Sequence, residues 1–296
     1  MKLVFSYMVC SLVWGTTWFA IRACIGVGGF STFQAAAMRF SIASMALCSI
    51  VMLWKKTFAL DRKYLVATAK AGLVNGCSYA LVYKGEESIN GGIAAIIFST
   101  LPVFTAIVSF VAKSESLKMH QIAGAILGVA GVVCIFFNQF ALSLDNGLGA
   151  LMLFTAVLSS AIYTLLLKRS AEGRDLITTV ALFCGFTALT LWVLAMFSLD
   201  KISFPTTIKP WLALFYLALF GSVLTFLSYV YLIKNVSLMV SSTLVFIQPV
   251  IAMVVDLAWG ENHSLDKAFV LGVSIIALAI VVSLGPKHFS RTEEKT

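Results

Sequence analysis

The chain has 296 residues, of which 60% are hydrophobic and only 11% are charged, and this composition excludes a water-soluble protein because a soluble surface needs about a quarter charged residues. The net charge is +8, but Lys and Arg occur singly or in pairs beside apolar blocks, which excludes the basic, aromatic-rich face of a nucleic-acid-binding protein. The six cysteines lack Cys-x-x-Cys spacing, so neither a disulfide framework nor a metal site is predicted.

The apolar residues form ten blocks of about twenty residues each, the length of helix that crosses the ~30 Å hydrocarbon core of a bilayer. In chain order, the predicted spans are 3–22, 33–54, 63–83, 91–112, 119–138, 148–167, 177–198, 212–233, 240–259 and 268–285. The first block carries Trp14, Trp18 and Arg22 and has no Ala-x-Ala cleavage site, so it is predicted to be a retained helix. The sequence therefore predicts an all-α polytopic membrane protein with ten transmembrane helices.

The basic residues are distributed unevenly between the two sides of this arrangement. If the N-terminus is cytoplasmic, fifteen of the 21 Lys and Arg residues lie on the cytoplasmic side and five on the opposite side, with Arg39 inside span 2. Cytoplasmic loops of membrane proteins carry the excess of Lys and Arg. The distribution predicts a multi-pass protein of the plasma or inner membrane with both termini in the cytoplasm.

Two prolines indicate an internal duplication. Pro102 in span 4 and Pro249 in span 9 are 147 residues apart and lie in similar apolar segments, 97–103 and 244–250. A constant offset of this kind is the sign of a repeat. The predicted units are residues 1–143, residues 144–286 and a cytoplasmic tail, 287–296.

Each predicted repeat holds five spans, and an odd number means that the second repeat enters the membrane from the opposite side. The sequence thus predicts a 5+5 inverted repeat, an architecture typical of transporters that work by alternating access. Pro102 and Pro249 each remove a backbone hydrogen bond from a span, so both are hinge candidates. A static kink that only shapes packing is the alternative.

Seven short motifs follow one another along the chain. They are Trp14-Gly15, Arg39, Gly92-Ile93-Ala94-Ala95-Ile96-Ile97 before Pro102, Ser160-Ala161-Ile162-Tyr163-Thr164 before Lys168-Arg169, Tyr229-Val230-Tyr231-Leu232-Ile233-Lys234-Asn235-Val236-Ser237, Gln248-Pro249-Val250 and Gly260-Glu261. In this order and spacing they resemble the EamA branch of the drug/metabolite transporter superfamily, over nearly the whole chain. The resemblance implies a ten-helix inverted-repeat transporter, commonly an exporter of metabolites or amino-acid-like compounds.

Two positions depart from the family's pattern. Ala112-Lys113 stands where the first repeat should carry Gly-Glu, and Glu115 lies two residues later, so no ion pair of the family is transferred to Glu115. The residue before the proline is Leu101 in the first repeat but Gln248 in the second. This difference predicts an asymmetric cavity.

Two charged residues are predicted inside spans, where an unpaired charge is costly. The functional interpretation of Arg39 is a contact for an anionic substrate or a salt-bridge switch. The structural interpretation is a tie to backbone carbonyls or a side chain that snorkels to the surface. Asp256 is the carboxylate inside the assigned apolar stretches, and a raised pKa would let it couple transport to protons. Contact with headgroup water or a pair with Lys267 is the simpler alternative for Asp256.

Aromatic and amide side chains at mid-depth in the spans are candidates for a solute cavity. The substrate-binding candidates are Trp14, Asn75, Tyr79, Ser99, Tyr163, Tyr229 and Gln248. Aromatic walls suit flat or amphipathic solutes, and buried amides are costly when unsatisfied. Hydrogen bonding between helices is the alternative for the polar members, and Tyr83 and Tyr231, near span ends, are predicted to be interfacial anchors.

A secondary transporter of small solutes is the predicted function, since no phosphate-binding loop of a nucleotide-driven pump occurs. The competing classes are an intramembrane lipid-modifying enzyme and a non-transporting membrane scaffold. Such an enzyme needs convergent catalytic or metal-binding side chains, whereas His120, His263 and His288 are scattered along the chain. No catalytic residue, cofactor or metal is predicted. The expected partners are a small-molecule solute and the lipid bilayer, with proton coupling as one hypothesis. Gly124-x-x-x-Gly128 is interpreted as helix packing, with a homodimer face as the alternative.

Overall fold

The computed structural model describes residues 1–54, 61–89, 91–116, 118–142, 147–198, 201–258 and 267–284. Every regular element in these ranges is helical. The helices are α1 (Lys2–Ile25), α2 (Thr32–Leu53), α3 (Arg62–Gly85), α4 (Gly91–Phe98), α5 (Leu101–Val111), α6 (Met119–Leu142), α7 (Gly147–Ala171), α8 (Leu176–Phe197), α9 (Ile208–Ala218), α10 (Thr225–Asn235), α11 (Leu238–Ser242), α12 (Ile247–Ala258) and α13 (Lys267–Leu284). The predicted all-α class is confirmed.

Seven helical stretches are long and apolar enough to cross a membrane, counting α4 with α5 and α9 with α10 as continuous. Three shorter apolar helices, Met119–Ile135, Leu238–Ile251 and Ala268–Leu284, lie within the described residues of the remaining predicted spans. The protein is therefore a membrane protein with several spanning helices.

Polar residues start helices at one end of the bundle. The Asp61 carboxylate accepts a hydrogen bond from the Tyr64 N–H at 2.8 Å and caps α3. The Asp175 carboxylate accepts from the Thr178 N–H at 3.0 Å and caps α8. Such caps satisfy backbone donors that the first helical turn leaves unpaired. We call this end, which includes Lys2, Asp61, Glu115, Lys168 and Lys234, the N-terminal face.

The predicted fourth span is interrupted two residues before Pro102. Helix α4 ends at Phe98, Ser99 and Thr100 form a turn, and α5 begins at Leu101. The Ser99 and Thr100 hydroxyls donate to the carbonyls of Ile96 and Ile97, each at 2.6 Å. Hydroxyls that bond back to the preceding turn bend helices, and the proline follows with no N–H to offer.

The predicted ninth span is interrupted before Pro249 in a similar way. Helix α11 passes into a 3₁₀ segment, Thr243–Phe246, and α12 then begins at Ile247. A 3₁₀ segment in the middle of a helix has poorer hydrogen-bond geometry than an α-helix and often marks a hinge. Both prolines therefore follow a break in the α-helix.

The predicted eighth span contains a π-helical turn, Leu219–Leu224, between α9 and α10. The span predicted at 212–233 lies within Ile208–Asn235, and the π-helical turn inside it has no signal in the apolar pattern. The π turn frees backbone carbonyls from α-helical bonding: the Gly221 carbonyl accepts from Arg39, and the Phe220 carbonyl accepts from the Thr225 hydroxyl at 2.6 Å. The interruption is thus stabilised by a side chain from another helix.

Helices α6 and α13 cross very closely. A Cβ atom on Gly124 would lie 2.8 Å from the Ala279 carbonyl oxygen, and one on Gly272 would lie 2.7 Å from the Gly131 carbonyl oxygen. A Cβ on Gly128 would meet the Phe246 ring at 2.1 Å. The interpretation of Gly124 and Gly128 as packing residues is confirmed, because both face other parts of the same chain.

The remaining helices surround the centre of the bundle. Helix α3 packs against α7 and α8, α2 packs against α8, and α1 packs against α9, α10 and α12. Residues from α1, α2, α3 and α10 form much of one buried apolar cluster. The candidate site lies inside this central group of helices.

Candidate functional site

A cavity of about 70 Å³ lies at the centre of the bundle. Its lining residues are Trp14, Thr17, Trp18, Ile21, Arg39, Ser78, Tyr79, Val82, Phe98, Leu101, Ser160, Tyr163, Tyr229, Leu244, Val245 and Gln248. Five of the seven predicted substrate-binding candidates are among them, together with Arg39. Both predicted repeats contribute to the wall.

The other two candidates, Asn75 and Ser99, lie outside this lining. The Asn75 amide is fully buried, and its Nδ2 donates to the Thr187 hydroxyl at 3.0 Å, which joins α3 to α8. The Ser99 hydroxyl bonds to its own helix. Both side chains make the helix bonds that polar residues often make in membranes.

Six of the sixteen lining residues are aromatic, and several of their rings make edge-to-face contacts. The Trp14 ring centroid lies 4.9 Å from that of Tyr229, and the Trp18 centroid lies 5.1 Å from that of Phe98. Edge-to-face pairs at these separations are mutually attractive. The rings therefore hold one another in place and present a stiff, flat-sided pocket.

Arg39 is 1% exposed, and its hydrogen-bond partners among the described residues are neutral. Its Nε donates to the Ser222 hydroxyl at 2.9 Å, and its Nη2 donates to the Gly221 carbonyl at 2.9 Å. Its Nη1 lies 3.4 Å from the Tyr83 hydroxyl, and its guanidinium carbon lies 5.0 Å from the Tyr79 ring centroid. Arg39 thus ties α2 and α3 to the π turn, which agrees with the predicted tie to backbone carbonyls, and it also reaches the cavity.

Tyr83 was predicted to be an interfacial anchor, and that prediction is wrong. Its side chain is fully buried and its hydroxyl accepts the hydrogen bond from Arg39. A position near the end of a span suggested an aromatic belt, but the partner that keeps Tyr83 inside is on another helix. Only the three-dimensional structure brings the two together.

Trp18, Ser78 and Ser160 line the cavity although the sequence did not mark them as candidates. Trp18 follows Trp14 by four residues, and this spacing places both indoles on one helix face. That signal could have identified Trp18. Ser78 and Ser160 hydrogen-bond to each other at 2.9 Å across α3 and α7, a contact without a local sequence signal.

Glu86 is a buried carboxylate just beyond the end of α3. The residue is 6% exposed, and neither carboxylate oxygen has a hydrogen-bond partner among the described residues. Burial raises its pKa well above the ordinary range, because desolvation outweighs the opposing charges of Arg22 and Arg39. The side chain of Asp256, the predicted candidate for proton coupling, lies outside the described residues, so Glu86 is the buried acid that the structure places near Arg39.

Replacing Glu86 with glutamine is expected to reduce the pH dependence of stability. With a raised pKa, folded Glu86 keeps a proton that the unfolded chain loses above about pH 4.3. Stability therefore falls as pH rises from that value to the pKa of the folded state. In detergent, E86Q should melt at or above the wild-type temperature at alkaline pH. E172Q, which changes an exposed acid, should behave like the wild type, and a lower melting temperature of E86Q at alkaline pH would contradict the assignment.

An ion pair joins the two predicted repeats on the N-terminal face. The Lys168 ammonium on α7 lies 2.7 Å from the Glu115 carboxylate in the α5–α6 loop and donates to the Val236 carbonyl at 2.8 Å. The second oxygen of Glu115 accepts from the Leu238 N–H at 2.9 Å. We call these contacts the Glu115 clamp, and the missing Gly-Glu motif gave no reason to expect it.

Within the described ranges, no group of three or more His, Cys, Asp or Glu side chains is arranged to hold a metal ion. The described cysteines are all free thiols. The polar chemistry of the described cavity therefore comes from hydroxyl, amide, indole and guanidinium groups.

Comparison with known proteins identifies the family. The model of the EamA-like transporter family matches residues 1–137 and 147–284. The protein PagO of Salmonella typhimurium is 32% identical over 285 residues, which cover 94% of this chain and 93% of PagO. The inner membrane transporter YedA of Escherichia coli, named as uncharacterised, is 27% identical over 285 residues, which cover 94% of this chain and 89% of YedA.

A solved structure supports the fold. One crystal structure superimposes with a TM-score of 0.77 and 18% identity and covers 95% of this chain and 96% of that chain. The resemblance drawn from the motifs is confirmed by the family match over both parts of the sequence. The chain belongs to the EamA-like transporter family, within the drug/metabolite transporter superfamily.

Proposed function

We propose that this protein is a secondary transporter that exports small metabolites or amino-acid-like and drug-like solutes by alternating access. The observation that carries the proposal is the position of the two helix breaks. Phe98 and Leu101 flank the first break and Leu244, Val245 and Gln248 lie in or beside the second, and all five line the central cavity. Movement at the breaks would therefore reshape the cavity directly.

The proposed transporter consists of two inverted repeats, residues 1–143 and 144–286. The family model matches two segments that fall within these repeats. Each segment holds five predicted spans, and each has a proline after a break in its fourth span. Equivalent halves that can exchange conformations favour alternating access to a cavity between them.

The size of the cavity supports a conformational cycle. At about 70 Å³ it is far below the roughly 300 Å³ at which pockets begin to hold drug-sized ligands. A solute of that class enters only if the walls separate. Pro102 and Pro249 are proposed as the hinges, because the turn and the 3₁₀ segment before them bend more readily than a continuous α-helix.

The Glu115 clamp is the proposed gate toward the cytoplasm. The uneven distribution of Lys and Arg favours a cytoplasmic N-terminal face, and the clamp links the repeats there. Opening of this face would separate Glu115 from Lys168. The outward direction of transport is taken from the resemblance to the EamA family. We further propose that uptake of a proton by Glu86 couples the transport cycle to the proton gradient.

Metabolite export tests the proposal. Cells that overproduce the protein should accumulate at least one metabolite outside relative to cells with an empty vector, as measured by untargeted mass spectrometry. Q248L, which removes a cavity amide and keeps its bulk, should reduce that accumulation by about tenfold, the effect of one lost polar contact at a buried site. The residue is 4% exposed and lines the cavity.

Q121L is the matched control. Gln121 is also a buried amide, but its Nε2 lies near the Ser237 hydroxyl at the N-terminal face and the residue does not line the cavity. It should leave export near the wild-type level at equal expression. Equal extracellular metabolites in overproducing and empty-vector cells, or equal loss in both variants, would contradict the proposal. Addition of a proton uncoupler reports separately on the driving force.

A further inference from the structure

We propose that the central cavity selects solutes that combine a flat apolar body with an anionic oxygen acceptor, such as a carboxylate, and discriminates against ammonium groups. This inference rests on the proposed function and names the class of solute for the same cavity. It follows from three donor groups in the wall: the guanidinium of Arg39 and the indole N–H groups of Trp14 and Trp18, which have no acceptor among the described residues.

Two indole donors in the wall have no acceptor among the described residues. The indole Nε1 atoms of Trp14 and Trp18 are buried and make no hydrogen bond within the described part of the chain. Two indoles outside the cavity are paired: Trp192 Nε1 donates to the Ser41 hydroxyl at 3.0 Å, and Trp211 Nε1 donates to the Pro205 carbonyl at 3.1 Å. Buried indoles usually find a partner. The exceptions coincide with the cavity, so an acceptor brought by a solute would complete them.

Arg39 adds a positive charge, and its hydrogen bonds within the described part of the chain include no carboxylate. Its three hydrogen-bonded partners, Ser222, Gly221 and Tyr83, are neutral groups. A guanidinium has five N–H donors, so further donors remain for a ligand at the cavity wall. A planar carboxylate matches the geometry of guanidinium donors and can accept two of them at once.

Several hydroxyls in the wall already have partners, and the amide of Gln248 offers one carbonyl acceptor. The Ser78 and Ser160 hydroxyls bond to each other, and the Tyr229 hydroxyl bonds to Thr164 at 3.0 Å. No Asp or Glu is found among the described residues that line the cavity. Glu86, the buried acid near Arg39, does not line it, and its raised pKa favours the neutral form. An ammonium group would therefore meet like charge and have few acceptors.

Aromatic walls attract cations in many binding sites, and this is the competing effect. Here, however, Arg39 already lies against the nearby rings, with its guanidinium carbon 5.0 Å from the Tyr79 centroid and 5.3 Å from the Phe40 centroid. A second cation would compete with Arg39 for the same faces. The remaining rings, Trp14, Trp18 and Phe98, are then available for the apolar body of the solute.

Direct binding to purified full-length protein in detergent tests the inference with three probes of one shape: phenylacetate, phenylacetamide and phenethylammonium. At neutral pH phenylacetate should bind about tenfold tighter than the amide, and tighter still than the amine, because charge-assisted bonds are about twice as strong as neutral ones. Equal or tighter binding of the amine would overturn the inference. Failure of all three probes to bind, with the protein folded by its melting temperature, would also overturn it.

Phenylalanine variants test the indole donors. W14F/W18F keeps an aromatic ring at each position and removes both N–H groups, so it should weaken phenylacetate binding by about tenfold or more relative to any change in phenethylammonium binding. W192F and W211F remove paired indoles outside the cavity and should bind phenylacetate like the wild type. If the double variant has a reduced melting temperature, the single variants W14F and W18F are compared instead. Unchanged phenylacetate affinity in a folded cavity variant would overturn the role of the indoles.

The outcomes separate this inference from the proposed function. Export of metabolites that are all amines would leave the transporter proposal standing and overturn the solute class. Tight phenylacetate binding without any metabolite export would support the solute class and contradict the transporter proposal.

Discussion

Replacement of Arg39 by lysine is expected to destabilise the folded protein by about 3 kcal/mol, the lower end of the cost of breaking a buried charged network. Lysine keeps the charge but has one nitrogen in place of the guanidinium fork. It cannot bond Ser222, Gly221 and Tyr83 together, and it loses the stacking on Tyr79. The π turn would then lose the donor to its Gly221 carbonyl. Thermal unfolding in detergent, followed by size-exclusion chromatography, measures the loss.

R174K is the matched control for R39K. Arg174 also donates to another residue, Asp61, and also stacks on a tyrosine, Tyr64, with 4.7 Å between the guanidinium carbon and the ring centroid. Its side chain is 35% exposed, and exposed ion pairs contribute at most about 1 kcal/mol. R174K should therefore melt close to the wild type. A melting temperature of R39K that matches that of R174K would show that the buried network adds little.

Replacement of Gly128 by valine is expected to cost about 3 kcal/mol or to abolish the folded protein, the effect of overpacking a tight core. The Cβ atom alone would lie 2.1 Å from the Phe246 Cζ, and Phe246 is fully buried in the 3₁₀ segment before Pro249. The ring must move, and with it the turn that borders the cavity. The measured quantities are the yield of monodisperse protein and its melting temperature.

G147V is the control for G128V. Gly147 begins α7, and a Cβ atom there would have no neighbour within 4 Å. The same change of side chain should leave both yield and melting temperature near the wild type. Normal folding of G128V would mean that the contact between α6 and the 3₁₀ segment is looser than the structure shows.

The helical framework could be predicted because hydropathy depends on local composition. Blocks such as 33–54 and 177–198 coincide with α2 and α8 within about one residue. The start of α9 was placed at 212, whereas the helix begins at Ile208. Helix ends are set by caps and neighbouring loops, which the apolar pattern does not report.

The site was predictable only in part. Trp14, Tyr79, Tyr163, Tyr229 and Gln248 stood out because aromatic and amide side chains are conspicuous in an apolar span, and all five line the cavity. The partners of Arg39 were not predictable, because Ser222 and Gly221 lie about 180 residues away in sequence.

The burial of Glu86 was not predictable either. Its sequence neighbours, including the half-exposed Lys84 and Glu87, are typical of a loop at a membrane surface. The surrounding helices determine its exposure, and they come from distant parts of the chain. Tertiary context therefore decided both the anchoring of the arginine and the environment of the acid.

The π turn at Leu219–Leu224 changes the direction in which side chains point on either side of it, in α9 and in α10. A turn of this kind holds one more residue than an α-helical turn, and one residue corresponds to a rotation of about 100°. Helix α10, with Phe226 and Tyr229, is thereby rotated relative to α9, which packs against α1 and α2. In effect, the extra residue sets a fixed change of register within one span, between the part that packs on the scaffold and the part whose Tyr229 lines the solute cavity.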